Sequence, residues 1–307
     1  ADAIHGDEGA DRISGGAGAD WLFGGAGVDE LNGDEGADFL FGGDNFDILR
    51  GGAHGDWLEA GSIWEDVDGE GGRDWNAHVW AIDGATESDV DQESSGSCGF
   101  LSALAASSRW HDLSQNISYE GNFTYAVWLF DESIGQWTQE RVRFDGSSRT
   151  MTDVNFDPKS VVEGEFWTIV YQRAYLQRYY GFDDSNWILT AWMTGETPAR
   201  PMQAITGNAP WETATADWPA DYFRQWLAAG PMTACDGEHC YAIADIFLDE
   251  TGAWKVVLLN PWGVDGTHEG GLTWESEPAT FTAGNDGYLT MACDVFAANL
   301  PYAFVTV

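Results

Sequence analysis

Residues 15–31 read GGAGADWLFGGAGVDEL, in which Gly15-Gly16-Ala17-Gly18-Ala19-Asp20-Trp21-Leu22 recurs nine residues later as Gly24-Gly25-Ala26-Gly27-Val28-Asp29-Glu30-Leu31. Working outward, aspartates fall at Asp2, Asp11, Asp20, Asp29, Asp38, Asp47 and Asp56, a strict step of nine. Two residues after each stands an aliphatic side chain: Ile4, Ile13, Leu22, Leu31, Leu40, Leu49, Leu58. A flexible glycine-rich linker has no reason to keep two residue types in register over this length, whereas a solenoid does. Each nonapeptide then supplies a turn and a short strand, with the aliphatic residue pointing inward. Two nonapeptides make one coil. Asp2, Asp20, Asp38 and Asp56 therefore line one edge, and Asp11, Asp29 and Asp47 the other. Adjacent coils lie about 4.8 Å apart, so bare carboxylates repel, and a hard dication with oxygen ligands removes that repulsion. The turn glycines provide positive φ. Asp7 and Asp34 replace the second glycine of the pattern, and Asn45 and His54 the third. Asn and His are among the side chains that tolerate this conformation best.

The pattern G-G-x-G-x-D-x-U-x resembles the RTX (hemolysin-type) calcium-binding nonapeptide repeat. The resemblance implies an N-terminal parallel β-roll over residues 1–60, calcium as cofactor, and the seven aspartates as its ligands. Residues 61–75, GSIWEDVDGEGGRDW, read as a Gly- and acid-rich linker. Residues 76–307 read as one globular unit with its own apolar core, expected to stay folded when 1–60 is deleted.

The whole chain holds 51 Asp+Glu against 13 Lys+Arg, a formal charge of −38. A polyanion of this strength repels nucleic acid and anionic lipid. With 44% hydrophobic residues and 17 Trp, it is too apolar for a disordered acidic tail. No run of 18 apolar residues exists, so no membrane span is expected. No basic-apolar leader opens the sequence, so no ordinary signal peptide is expected. Four cysteines in 307 residues are no disulfide framework.

Beyond the repeats, an apolar helix is expected at about 98–108, strands near 122–131 and 136–145, a helix near 163–180, and a β-rich stretch from about 239 onward. Helical first and β-rich later gives an α+β fold of two lobes with a cleft between them. Cys98 opens the apolar run Gly99–Ala106, with Ser94, Ser95 and Ser97 as capping oxygens before it. A helix start favours a thiolate, although a free cysteine is by default a buried structural residue. His239 precedes alternating apolar residues at a strand start. Asn260 follows the strand Val256–Leu259, where it also suits a turn before Pro261. A hairpin brings His239 and Asn260 to the same sheet end. The order and separations of Cys98, His239 and Asn260 suit a papain-type triad.

Gln92 six residues before Cys98, His239-x-Tyr241, and Asn260-Pro261-Trp262-Gly263 together resemble the calpain family of cysteine proteases. So do Glu165-Phe166-Trp167 leading to Gln172-Arg173-Ala174-Tyr175 and Gly181, Gln136-Trp137 with Arg141-Val142-Arg143-Phe144-Asp145, Ala191 to Gly195, and the closing Asp286-Gly287-Tyr288, Met291 and Asp294-Val295-Phe296. The similarity runs from about 85 to 307. It departs at Gly99 (usually aromatic), Ser97 (usually Asp) and Glu238 (usually small). The resemblance implies a papain-like two-lobed fold and a calcium-dependent cysteine endopeptidase acting on a protein or peptide substrate, secreted or surface-exposed. In that reading Cys98 is the nucleophile, His239 the acid–base, Asn260 its orienting group and Gln92 an oxyanion donor. An inactive calpain-like module that only binds partners, a calcium-stabilised adhesin, and an acyl transferase are the competing expectations. Cys235 and Cys240 are left open between free thiols and a disulfide.

Overall fold

The computed structural model describes residues 1–59, 66–71, 75–76, 90, 98–144, 167–181, 196–237, 239–261, 280–281 and 287–306. The aspartate step becomes a parallel β-roll. Strands β1 (Ala3–Glu8), β3 (Trp21–Ala26), β5 (Phe39–Asp44), β7 (Trp57–Glu59) and β9 (Trp75–Asn76) form one sheet in that order, and β2 (Arg12–Ala17), β4 (Glu30–Glu35), β6 (Ile48–Ala53) and β8 (Asp66–Gly71) the other. Every pairing is offset by two nonapeptides, as in Leu22↔Leu40 and Leu31↔Leu49. The aliphatic column Ile13, Leu22, Leu31, Leu40, Leu49, Leu58 closes on itself as a separate core. Each fully buried leucine is worth about 2 kcal/mol. The four substituted turn positions adopt positive φ: Asp7 70°, Asp34 73°, Asn45 81° and His54 86°.

The linker expectation needs correction. Asp66–Gly71 pairs in parallel with Ile48–Ala53, and Trp75–Asn76 with Trp57–Leu58, so the roll continues into 61–75. In sequence the step of nine reaches Glu65 and Asp74, and Val67 keeps the aliphatic place opposite Leu49. Loss of the glycine spacing hides these degenerate repeats.

The remainder is mixed α/β. Helices α1 (Cys98–Ser108), α2 (Trp167–Tyr180) and α3 (Ala199–Thr206) surround an antiparallel sheet of β10 (Ile117–Tyr119), β11 (Thr124–Asp131) and β12 (Gln136–Arg143). A seven-stranded antiparallel sheet follows, built from β13 (Trp211–Ala214), β14 (Met232–Cys235), β15 (Cys240–Leu248), β16 (Trp254–Leu259), β17 (Thr280–Phe281), β18 (Tyr288–Ala292) and β19 (Tyr302–Val305) in the order β13-β19-β14-β15-β16-β18-β17. Helices α4 (Ala220–Leu227) and α5 (Cys293–Asn299) belong to this sheet's own side. Helix α1 packs on β14 and β15. It is buried along its whole length, as its small and apolar composition dictates. Among the described residues no helix is long and apolar enough to cross a membrane.

The roll and the mixed unit share a seam. Phe123, at φ 60°, sets its ring edge-on to Trp21 (6.3 Å), Phe39 (6.0 Å) and Phe41 (5.9 Å), and lies 5.0 Å from Trp57. Trp57 reaches Phe144 at 6.2 Å, the Arg143 guanidinium sits 4.9 Å over Phe123, and the Tyr119 hydroxyl donates to Glu59. Trp57 is part of the core that also contains Phe100, Tyr125 and Trp167. Deleting 1–60 therefore removes a buried member of that core, against the expectation that the two units are independent.

Candidate functional site

Two sets of side chains carry chemistry. In the roll, the aspartates of alternate nonapeptides stack. The amide of Asp20 donates to Asp38 Oδ1 (2.7 Å), that of Asp29 to Asp47 Oδ1 (2.8 Å) and that of Asp38 to Asp56 Oδ1 (2.8 Å). Asp11 donates likewise to Asp29 Oδ1 at 2.8 Å, and Asp2 to Asp20 Oδ1. Asp2 itself is exposed. One carboxylate oxygen of each pair is thus spent on the ladder. The other, Oδ2 of Asp20, Asp29, Asp38 and Asp47, is buried with no hydrogen-bond partner, as is Oδ2 of Asp11. Burial pushes the carboxyls of Asp38 and Asp47 up, and neighbouring aspartates add to the rise, while the ladder amides pull them back.

Backbone oxygens crowd the same spots. A methyl group on Gly24 would come within 2.5 Å of the Gly42 carbonyl oxygen and 2.6 Å of Asp29 Oδ2. Glycine is what lets a carbonyl and a carboxylate meet there. Among the described residues no three His, Cys, Asp or Glu side chains converge on one point; each such spot offers a carboxylate oxygen with a backbone carbonyl. An all-oxygen set with orphaned negative atoms suits calcium.

The second set lies where α1 meets the seven-stranded sheet. Cys98 is the first residue of α1 and is 9% exposed; His239 is 2% and Asn260 0% exposed. His239 ends the turn between β14 and β15, and Asn260 follows β16, whose hairpin with β15 sets Ala242 opposite Leu259. His239 Nε2 lies 2.8 Å from Asn260 Oδ1. An amide oxygen only accepts, so Nε2 carries the hydrogen and Nδ1 is the basic nitrogen. The Asn260 amide is tied to the Gly287 carbonyl at 2.9 Å. Tyr241 packs edge-on against the imidazole at 4.7 Å.

The Cys98 sulfur faces the same turn. Burial pushes its thiol up, the backbone N–H groups of Cys240 and Gly99 pull it down, and Asp236 pushes it up again. Gly99 is explained locally: a Cβ there would come within 1.9 Å of the Glu196 carbonyl oxygen. Gln92, Ser94, Ser95, Ser97, Glu238, Trp262 and Gly263 lie outside the described residues.

The structure decides one reading left open by the sequence and adds two features that the sequence did not mark. Cys235 and Cys240 form a disulfide, which their opposed places in the β14–β15 register allow. Asp236 accepts the His239 amide at 2.7 Å. Glu196 is buried beside α1 and accepts from the Tyr175 hydroxyl at 2.6 Å; burial pushes its carboxyl up. Cysteines five apart around the histidine were the one available signal, and sequence alone cannot choose their partners.

Residues 1–31 and 32–62 match the family model described as the RTX calcium-binding nonapeptide repeat (4 copies). No curated protein matches the chain. The repeats bind calcium, and the buried Oδ2 atoms are candidate ligands for it.

Proposed function

We propose that this chain is a secreted calcium-dependent cysteine endopeptidase of calpain-like, papain-fold type, carried with its RTX roll. The observation that supports this reading best is the His239–Asn260 bond, formed beside a cysteine at a helix start. RTX repeats, typical of secreted proteins, support the location. Cys98 transfers its proton to His239 Nδ1, and the thiolate attacks the peptide carbonyl carbon. The C–S bond forms, the backbone N–H of Cys98 and the Gln92 amide hold the oxyanion, and His239 passes its proton to the leaving amine as the C–N bond breaks. Water, deprotonated by His239, then hydrolyses the thioester and returns Cys98. Asn260 holds the imidazole in the useful tautomer. Because burial raises the thiol, transfer to His239 is the step that makes Cys98 nucleophilic.

Hydrolysis of casein or a fluorogenic peptide, with and without calcium, tests this. Cys98→Ala is expected to abolish turnover and Cys293→Ala to leave it intact; an active Cys98→Ala protein overturns the assignment. The near-complete burial of Cys98, His239 and Asn260 favours a second reading, an inactive calpain-like module that serves as a calcium-stabilised binding or adhesion protein. Labelling by an electrophilic thiol probe separates the two, since only a working Cys98–His239 pair reacts fast at neutral pH.

A further inference from the structure

We infer that the Cys235–Cys240 disulfide, with Asp236, is the positioning element for His239, fixing the imidazole against Asn260 and the sulfur of Cys98 at once. This rests on the endopeptidase reading above. Cys240 joins these groups. Its sulfur is bonded to Cys235, the residue before it is His239, and the strand it opens packs against α1, whose first residue is Cys98. Its backbone N–H also pulls the Cys98 thiol down. One peptide unit therefore carries the base and lies beside the nucleophile's helix.

Two hydrogen bonds also span the turn it closes. Asp236 N donates to the His239 carbonyl at 3.0 Å, and the Asp236 carboxylate accepts the His239 amide at 2.7 Å. Gly237, between them, stands at φ 100°. A turn pivoting on glycine is free to shift unless its ends are clamped, and the two half-cystines directly face each other there, with Cα atoms 4.2 Å apart. The sequence separation is only 5, so the bridge constrains the unfolded chain less than a long-range one would. Its effect is local. A shift of about 1 Å in the base is enough to spoil proton transfer.

Among the described residues, helix α1 and strand β14 contain no charged or titratable group besides Cys98 and the bridged Cys235. Asp236 and Tyr241 lie within electrostatic reach of Cys98, and Glu196 packs beside the start of α1. In the endopeptidase reading the pH response of Cys98 follows His239, with Asp236 opposing the thiolate.

The test uses the full chain in calcium. The alkylation rate of Cys98 by iodoacetamide is followed across pH by peptide mapping, beside thermal melting, for the unaltered protein, His239→Ala and Cys235→Ala/Cys240→Ala. The double variant is expected to melt cooperatively, while its Cys98 reactivity at neutral pH falls about tenfold and its profile moves toward that of His239→Ala. A double-variant profile that superimposes on the unaltered one, with His239→Ala displaced, overturns the inference alone. If His239→Ala also superimposes, the Cys98–His239 pair and this inference fall together. Should the double variant not fold, the unaltered protein is reduced, freed of reductant and profiled in the same way. A profile unchanged by reduction overturns the inference.

Discussion

The roll and the mixed unit bury opposite kinds of atoms. In the roll, Asp20, Asp29, Asp38, Asp47 and Asp56 are buried as a column beside leucines. In the mixed unit the interior is aliphatic and aromatic, and His239 and Asn260 within it pair with each other. A buried carboxylate without a partner is expensive, so the roll has an interior that is complete only with cations. In the mixed unit the orphaned buried atoms among the described residues are mostly neutral, Thr168 Oγ1 and the Gln172 amide among them, and they carry no comparable demand for cations. One region thus takes its stability from solution composition, the other from sequence, and they meet at Phe123.

The largest test of this contrast is removal of calcium. Chelation is expected to strip amide-exchange protection from residues 1–59 while α1 and the seven-stranded sheet keep most of theirs. Each site filled at a hundredfold excess over Kd contributes about 3 kcal/mol, and several act together. Uniform loss of protection over the whole chain would erase the distinction. Next is the seam. Phe123→Ala is expected to cost about 4 kcal/mol and to split thermal unfolding into two transitions, one calcium-dependent and one not. A single transition in the variant would show that Phe123 is not what couples the units. Leu40→Ala follows, at about 3 kcal/mol, read as a higher calcium midpoint for roll formation with no change in the calcium-free melt of the mixed unit.

A subtler effect is expected with pH. The carboxyls of Asp38 and Asp47 are raised by burial, so the calcium-free folded roll holds protons more tightly than the unfolded chain. Acidification therefore stabilises it, and that gain is lost as pH rises from the ordinary aspartate value of 3.8 through the raised folded values. Circular dichroism in chelator, at low protein concentration, is expected to show β-structure returning as pH falls toward that window. A monotonic loss of order on acidification would refute the carboxylate account. Smallest of all is the outer face. Glu30 bridges Arg12 (2.6 Å) and Arg50 (3.3 Å), yet Glu30→Gln is expected to cost under about 1 kcal/mol, measured by denaturant melt in calcium.

The roll was legible because its physics is periodic: one aspartate and one leucine per turn fix register, inward face and sheet membership. Legibility ended where periodicity decayed, at Glu65 and Asp74, although Val67 still falls in register with Leu49. In the mixed unit, α1 was readable from its small apolar run and begins at the expected Cys98. Helices α3 and α4 and strands β13 and β14 were not marked out, because they are short and their partners lie far along the chain. The His239–Asn260 pairing was legible from a hairpin argument. Phe123 was invisible, since an aromatic wedge between two units leaves no local pattern. The disulfide depends on strand register, which sequence does not print.

Finally, the aspartate ladder has a direction. Each amide is satisfied by the carboxylate of the coil that follows it in the chain, from Asp2 to Asp20, Asp20 to Asp38 and Asp38 to Asp56. The coil bearing Trp57 is the one anchored in the neighbouring core. Assembly then resembles seeded polymerisation, in which the anchored coil is the nucleus and each further coil adds to a templated end. Growth from a seed orders the coils by their distance from Trp57, so a falling cation level would release them one at a time, the more distant before the anchored one.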